Sequence, residues 1–537
     1  MRNIKKIGAI ALAVATLLPN FAFAAKKDYG TAKNVILMIP DGMNVESVTT
    51  ARWLSNDFEL AFDFMATGLV KTNNSNTPIA DSAPAGTAMA TGVKTQSPYI
   101  ATRPEKGGMP GAEDFDENKK NYPLATVLEG AERKGKSTGI ISTSNIQHAT
   151  PADFSSHHPN RNNYEDLGEQ QIYQGMEVVL GAGSKYLEGD RRADGEDLIA
   201  EIKNLGYEYV TNTAAMKAAQ GDKLFGLFAP GSLNYSMDRD PEVEPSLAEM
   251  TDKALDVLSK NEKGFFLMVE GSQIDWAAHA NDPVGIKSEV LAFDEAVKVA
   301  VDFANANKDT VIIVASDHGT GGMTFGNNNI SSGYDKAPLE SFTKLIHAAK
   351  LTGQGFAQKL NEDKSNIAEL FKETYGFDLT AEEVQSIKDA KDIQMAVGHI
   401  ISDKSNIGWT TGGHVGGDVG LYCYSTAKDA KLLTGTVHNK DIGQYIEALL
   451  GLDLAALSEE LYQPARPGFE AKGAKVEFKY ESEANPVIVV TKGDQEITFP
   501  ISKNYAIQGD EKVEIGGLTL FNGTNVFVPK AAFELIK

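Results

Sequence analysis

The run Val269-Glu270-Gly271-Ser272-Gln273-Ile274-Asp275-Trp276-Ala277-Ala278-His279 gathers three potential metal ligands within ten residues. Asp275 and His279 stand at i and i+4. On a helix that spacing puts a carboxylate and an imidazole on one face, about 5–6 Å apart, close enough to share an ion. Glu270 ends the apolar run Gly264-Phe265-Phe266-Leu267-Met268-Val269, which reads as a buried strand. Open α/β sheets place their ligands at such carboxyl ends. Taken alone, a solvated helix start with an incidental histidine explains the stretch equally well. The pattern recurs, however. Val35-Ile36-Leu37-Met38-Ile39-Pro40 leads into Asp41-Gly42, residues 311–315 lead into Ser316-Asp317-His318-Gly319, and His414 stands in Gly412-Gly413-His414-Val415-Gly416. Each cluster sets an acid or imidazole beside a glycine that lets the chain turn tightly. One such cluster is a polar turn; four in one chain form the donor set of a metal centre. Mixed nitrogen and oxygen donors without thiolates suit zinc or a similar ion, and all-oxygen sets suit magnesium.

A nucleophile is available in Asp81-Ser82-Ala83-Pro84-Ala85-Gly86-Thr87. Ser82 followed by small residues fits a helix N-terminus, where free N–H groups favour an anion. Its surroundings do not form the strained elbow of a serine hydrolase, and a metal that lowers the hydroxyl pKa makes a triad unnecessary. Without the ligand clusters, a plain N-cap serine is the simpler reading.

Such residues need strand ends to hold them, and the chain supplies these. Apolar runs at 35–39, 137–142, 265–269 and 311–315 alternate with helical patterns such as 246–260 and 289–305. That alternation predicts an α/β fold with a doubly wound, largely parallel sheet flanked by helices. Two regions look added to this core. Residues 323–410 begin Gly/Asn-rich, turn helical over 341–402, and interrupt two ligand motifs. They are read as a projecting insert, a lid or a dimer interface. After Arg466-Pro467-Gly468 the pattern becomes alternating strands, with Val476, Phe478 and Tyr480 facing one way. Asn522-Gly523 reads as a tight hairpin turn between 518–521 and 526–528. The expected organisation is a leader at 1–24, a catalytic domain at 25–466 carrying the insert, and a small β-rich module at 467–537.

The leader has a basic start (Arg2, Lys5, Lys6), an apolar stretch over 7–18 and the small-x-small site Ala22-Phe23-Ala24. It reads as a cleaved secretion signal too short to be a comfortable membrane anchor. No later stretch is apolar and long enough to span a membrane, so a soluble periplasmic or secreted product is expected. The formal charge is −22, and near −25 once the three leader cations are removed. That excludes nucleic-acid backbones and anionic membranes as natural partners. Much of the acidity is solubilising surface, and part is accounted for by the ligands. Cys423 is the sole cysteine, so no intrachain disulfide can form, and its apolar neighbours mark it as a buried thiol.

Together these motifs resemble the bacterial alkaline phosphatases over about residues 34–450. The DSA nucleophile motif, the VEG…IDWAAH run and the SDHG turn carry the likeness. Trp276 and Trp409 resemble tryptophans found beside the site in the cold-adapted marine branch of that family. The resemblance implies hydrolysis of phosphate monoesters through a phosphoserine on Ser82, releasing an alcohol and inorganic phosphate. It implies a first zinc on Asp275, His279 and His414, and a second on Asp41, Asp317, His318 and Ser82. A magnesium ion would sit on Asp41, Glu270 and Thr150, with His148 nearby. A third zinc remains open for that last site. Arg161, thirteen residues beyond His148, matches the family's phosphate-gripping arginine, whose planar fork binds two oxygens at once. Trp276 and Trp409 would line the substrate pocket, and the family's usual homodimer is expected. His157, His158, His347, His399 and His438 match no ligand position and are read as surface or packing residues. Three divalent ions set against four carboxylates, an ionised Ser82 and Arg161 leave about two positive charges. A monoester dianion neutralises these and a diester or sulfate ester does not.

Two other readings compete. Ser82-Ala83-Pro84-Ala85-Gly86 also resembles the sulfatase pattern of Ser or Cys, any residue, Pro, any residue, Arg. A sulfatase or phosphodiesterase of the same superfamily is therefore the alternative, although Gly86 stands where that pattern has arginine. A non-catalytic metal-binding surface protein would need the ligands but neither the serine nor the arginine.

Overall fold

The computed structural model describes residues 27–113, 116–482 and 485–537, with the backbone alone at 481 and 482. The secretion-signal reading lies outside the described residues.

Ten strands make the central sheet: β1 (Asn34–Ile39), β2 (Ala66–Lys71), β3 (Ser137–Asn145), β4 (Val178–Ala182), β5 (Glu208–Val210), β6 (Leu224–Leu227), β7 (Phe265–Glu270), β8 (Thr310–Ala315), β9 (Val419–Ser425) and β10 (Gly435–His438). Their spatial order is β10-β2-β9-β8-β1-β7-β3-β4-β6-β5. Only β9 runs against its neighbours β2 and β8; every other pairing in this sheet is parallel. The expected doubly wound α/β architecture is the one observed.

Parallel strands covered on both faces need apolar residues at every position, and β1, β7 and β8 are buried throughout. Their side chains alternate between two cores. Ile36 and Met38 join Leu267, Val269, Ile312 and Val314 beneath helices Leu247–Leu258 and Pro283–Asn307. Val35, Leu37 and Ile39 join Phe266, Met268, Val311 and Ile313 against helices Val127–Arg133 and Asn439–Leu449. Burying one such side chain contributes about 1.5–3 kcal/mol. The sheet is therefore a rigid base for whatever its strand ends carry. Cys423 lies buried in β9, its Sγ 3.7 Å from the Tyr445 hydroxyl. No helix among the described residues is long and apolar enough to cross a membrane.

Residues 323–410 leave the sheet's rim and return to it. Two-residue strands Thr324–Phe325 and Ile407–Gly408 pair antiparallel at the base, and Gly319–Thr320 pairs with His414–Val415 beside them. Between these lie five α-helices, of which Glu340–Ala348 is the first and Ile393–Lys404 the last. Near the C-terminus, Lys475–Ser482, Asn485–Lys492, Gln495–Pro500, Tyr505–Gln508 and Glu511–Glu514 form a five-stranded antiparallel sheet with its own apolar core. The helix Ala465–Ala471 runs through the boundary expected at 466/467. The hairpin expected around Asn522 is present, with Leu520 opposite Phe527 and Phe521 opposite Val526. Its loop is four residues long rather than two. The Asn522 side chain closes it by accepting from the backbone N–H groups of Thr524 and Asn525, a turn that asparagine makes without needing the two-residue form.

Candidate metal centre and active site

Four adjacent central strands, β8, β1, β7 and β3, point their carboxyl ends at one place. β1 delivers Asp41, β7 ends on Glu270, and β8 runs into Asp317 and His318. β3 leads to His148, which precedes the helix Ala149–Ser155 that contains Thr150. The helix Gln273–His279 adds Asp275 and His279, on one face as their spacing requires. His414 arrives on the strand that closes the insert. Ser82 opens the helix Ser82–Thr91, with Asp81 at its N-cap, and its side chain is buried.

These side chains form overlapping clusters. Donor atoms of Asp275, His318 and His414, of Asp41, Asp317 and His318, and of Asp41, His148 and Glu270 each lie within 4.8 Å of one another. His279 is not in the first group, where His318 stands instead, but it adjoins that group: its Nε2 is 3.1 Å from His414 Nε2 and 3.2 Å from Asp275 Oδ2. Two nitrogens bound tetrahedrally at ~2.0–2.1 Å would sit ~3.3 Å apart, close to that spacing. Both imidazoles turn Nδ1 to a carbonyl, His279 to Gly412 at 2.7 Å and His414 to Ala80 at 2.8 Å. A proton donated there leaves Nε2 bare, the tautomer a metal ligand needs. His318 stacks on His414 with centroids 3.8 Å apart. Its Nε2 faces Asp317 at 3.2 Å, Asp41 at 3.5 Å and the Ser82 Oγ at 3.2 Å. The middle histidine thus stands between two clusters and the nucleophile candidate.

The electrostatics call for cations. Both Asp41 oxygens, Asp317 Oδ2, Glu270 Oε1 and Thr150 Oγ1 are buried without a hydrogen-bond partner. Leaving such groups unpaired is costly. Burial, followed by repulsion from Asp317, Asp275 and Glu270, holds the Asp41 carboxyl well above its ordinary range. Burial pushes Glu270 up to about 7, although Ser142 donates to its Oε2 at 2.6 Å. Burial also opposes ionisation of Asp275, but His279, His318 and His414 hold its pKa below the usual value. His279 rises to about 9 because its contact with Asp275 outweighs burial. Buried orphan oxygens beside imidazoles that turn Nδ1 to a carbonyl and Nε2 toward the acids fit divalent metals in these clusters.

Arg161 is held from several sides. Burial opposes its charge, yet Asp81 raises its pKa through an ion pair to Nη1. Nη2 donates to His148 Nε2 at 3.0 Å, and the backbone N–H donates to the Pro98 carbonyl at 2.9 Å. Each terminal nitrogen keeps a second N–H for a ligand. Burial and the adjacent guanidinium depress His148 to about 3, so its ring is neutral. Trp276 meets His148 edge-on, centroids 5.9 Å apart. Trp409 covers Gly321, where an added Cβ would come within 2.7 Å of the indole, and its Nε1 donates to Ser402 Oγ at 2.9 Å.

The site includes residues that spacing did not reveal. Asp81 was read only as part of the serine motif, but it braces Arg161 while accepting from Ser97 Oγ at 2.8 Å. Thr320 donates to Asp275 Oδ1 at 2.5 Å and lies 3.3 Å from His318 Nδ1. His157 is a buried packing residue between Glu129 and Tyr462, and His347 is exposed. Gly86 answers the sulfatase resemblance. A Cβ there would meet the Asp153 carboxylate, Oδ2 at 2.3 Å, so glycine lets Asp153 approach the helix where that pattern has an arginine.

The sequence matches the alkaline phosphatase family profile over residues 32–452. It is 37% identical over 450 residues to alkaline phosphatase 4 of Bacillus subtilis (strain 168), covering 80% of this chain and 91% of that protein. The crystal structure of a cold-active alkaline phosphatase from the psychrophile Shewanella sp. superposes with a TM-score of 0.67 at 31% identity, over 78% of this chain and 99% of that one. A mutant of TAB5 alkaline phosphatase with magnesium in its M3 site matches with a TM-score of 0.57 at 25% identity, over 79% of this chain and 99% of that one. The buried ligand clusters around Ser82 and Arg161 thus sit in a chain that belongs to the alkaline phosphatase family, the hydrolases of phosphate monoesters.

Proposed function

We propose that Asp275, His279 and His414 hold one zinc ion, and that Asp41, Asp317, His318 and the Ser82 oxygen hold a second. Asp41, Glu270 and Thr150 are assigned to magnesium, with His148 beside it. Magnesium in the M3 site of the TAB5 mutant, in which aspartate replaces a histidine, supports a magnesium site in this family built on oxygen donors such as Asp41, Glu270 and Thr150. When bound, these ions supply positive charge that lowers the serine hydroxyl's pKa and offsets charge on the phosphoryl and leaving oxygens. Ser82 Oγ loses its proton and forms a bond to phosphorus as the ester oxygen departs, to be protonated as the alcohol. Water then attacks phosphorus in the phosphoseryl intermediate, and Ser82 Oγ leaves with inorganic phosphate as the product. Arg161 grips two non-bridging oxygens through both steps, braced by Asp81 through an ion pair and by His148 through a hydrogen bond.

One observation carries this reading: His318 Nε2 stands 3.2 Å from Ser82 Oγ and also faces Asp41 and Asp317, whose carboxylates keep buried oxygens without a hydrogen-bond partner. Ser82→Ala tests it. The variant should fold, keep its metal and lose the phosphoenzyme trapped at acidic pH, while retaining weak turnover of p-nitrophenyl phosphate. Labelled phosphate on another residue would refute the assignment. The wild type should prefer that monoester to the corresponding sulfate and bis-ester.

We further propose membership of the cold-adapted branch, supported by Trp276 and Trp409 and by the Shewanella similarity. Export to the periplasm or medium, supported by the leader pattern, and a homodimer complete the reading. The dimer is supported by exposed Trp53, Phe58, Tyr334 and Leu339, with Trp53 against Phe325 at the base of the insert.

A further inference from the structure

The insert's last helix, Ile393–Lys404, leans on the turn that follows His279. Gly398 lies so close that a Cβ there would come within 2.6 Å of the Asn281 carbonyl oxygen. The backbone of Asn281 has φ +50°, a left-handed conformation that asparagine tolerates better than most residues. Its side chain is committed on both ends. Nδ2 donates to the Ala278 carbonyl at 2.9 Å and to the Thr411 carbonyl at 3.0 Å, and Oδ1 lies 3.0 Å from His399 Nε2 on the insert helix. The Asn281 carbonyl accepts from Ser402 Oγ at 3.4 Å, and Ser402 in turn accepts from the Trp409 indole. Next to Thr411, the Gly412 carbonyl takes the His279 Nδ1 bond, and a Cβ at Gly412 would come within 3.2 Å of Met395 Cε on the same helix.

We infer that Asn281 is a positioning residue for the His279–His414 pair, and that helix Ile393–Lys404 sets its geometry through His399 and Ser402. The amide ties the chain after His279 to the loop that carries Gly412 and His414. A change in how the insert sits is thereby passed to both imidazoles, which approach within 3.1 Å. His399 therefore does more than pack the surface. This inference rests on the reading that His279 and His414 share one ion.

The test is zinc affinity of the metal-loaded enzyme, read by competition with a chromogenic chelator. Asn281→Gly keeps the positive φ and removes only the amide. It should weaken one zinc per chain about tenfold, the lower end of what losing an outer-sphere partner does, with the melting temperature in excess zinc close to wild type. His399→Ala should weaken the same zinc in the same direction, and His399→Gln, which restores a donor, should recover it. Unchanged zinc affinity in these variants overturns the inference, as does a lowered melting temperature with affinity intact. His279→Ala serves as the control. It should lose one zinc per chain; if it keeps the full complement, the ligand reading itself fails.

Discussion

Arg161 engages Asp81 and His148 before any substrate arrives, so its fork is fixed in place rather than recruited. A lysine would reach one neighbour but could not span two phosphoryl oxygens. Arg161→Lys is therefore expected to weaken inorganic phosphate as an inhibitor and lower kcat/KM by about 10–100-fold, the worth of a charged hydrogen bond. Metal content, measured by elemental analysis, should stay the same. Lys94 offers a separate test away from the site. Its ammonium is buried against the Asn73 carbonyl and Asn439 Oδ1, and burial pushes its pKa down to about 7. Between that value and the ordinary lysine range the unfolded chain holds a proton that the folded chain has shed, so stability should rise with pH across this window. In Lys94→Met that rise should be smaller, as read by urea midpoints from pH 7 to pH 10. At this scale Asp41, Glu270, Asp317 and His318 were legible in the sequence, because each follows a strand of unmistakable composition. Asp81, Thr320 and Asn281 were not. Their partners lie 80, 45 and 130 residues away, and no local pattern encodes such distances.

At the scale of elements, strand ends were predictable and excursions less so. The alternation of apolar runs and helical stretches identified β1, β7 and β8 and the sheet they form. The sequence also marked residues 323–410 as an insert, but nothing in its helical periodicity showed that its last helix would rest on the turn beyond His279. That contact gives the insert two roles to separate. Replacing the helical stretch Glu340–Ala348 through Ile393–Lys404 with a Gly/Ser linker should yield monomers by light scattering, with impaired turnover. A dimeric, fully active product would make the insert an independent decoration.

For the whole molecule, acidity and metal belong to one account. Asp41, Glu270, Asp275 and Asp317 are buried together, and among the described residues no lysine or arginine forms a salt bridge with them, so the folded state without ions carries an electrostatic cost. Removing metal with a chelator should lower the melting temperature by several degrees, and adding zinc and magnesium back should restore it. Ions that bind only the folded chain stabilise it in proportion to the logarithm of their concentration. A melting temperature indifferent to chelation would mean that the clusters are held by protons alone.

The strand order has a consequence in time. β1 is laid down first yet lies at the middle of the sheet, between β7 and β8, whose residues follow about 230 and 275 positions later. At ~5–20 residues per second of synthesis, Val35 to Ile39 wait roughly 10–60 s for their neighbours. Through that interval five consecutive apolar residues have no sheet to enter, and Asp41 has no companion ligand. The nascent chain must be kept from aggregating until both partners emerge, and metal can be captured only after nearly the whole catalytic unit exists.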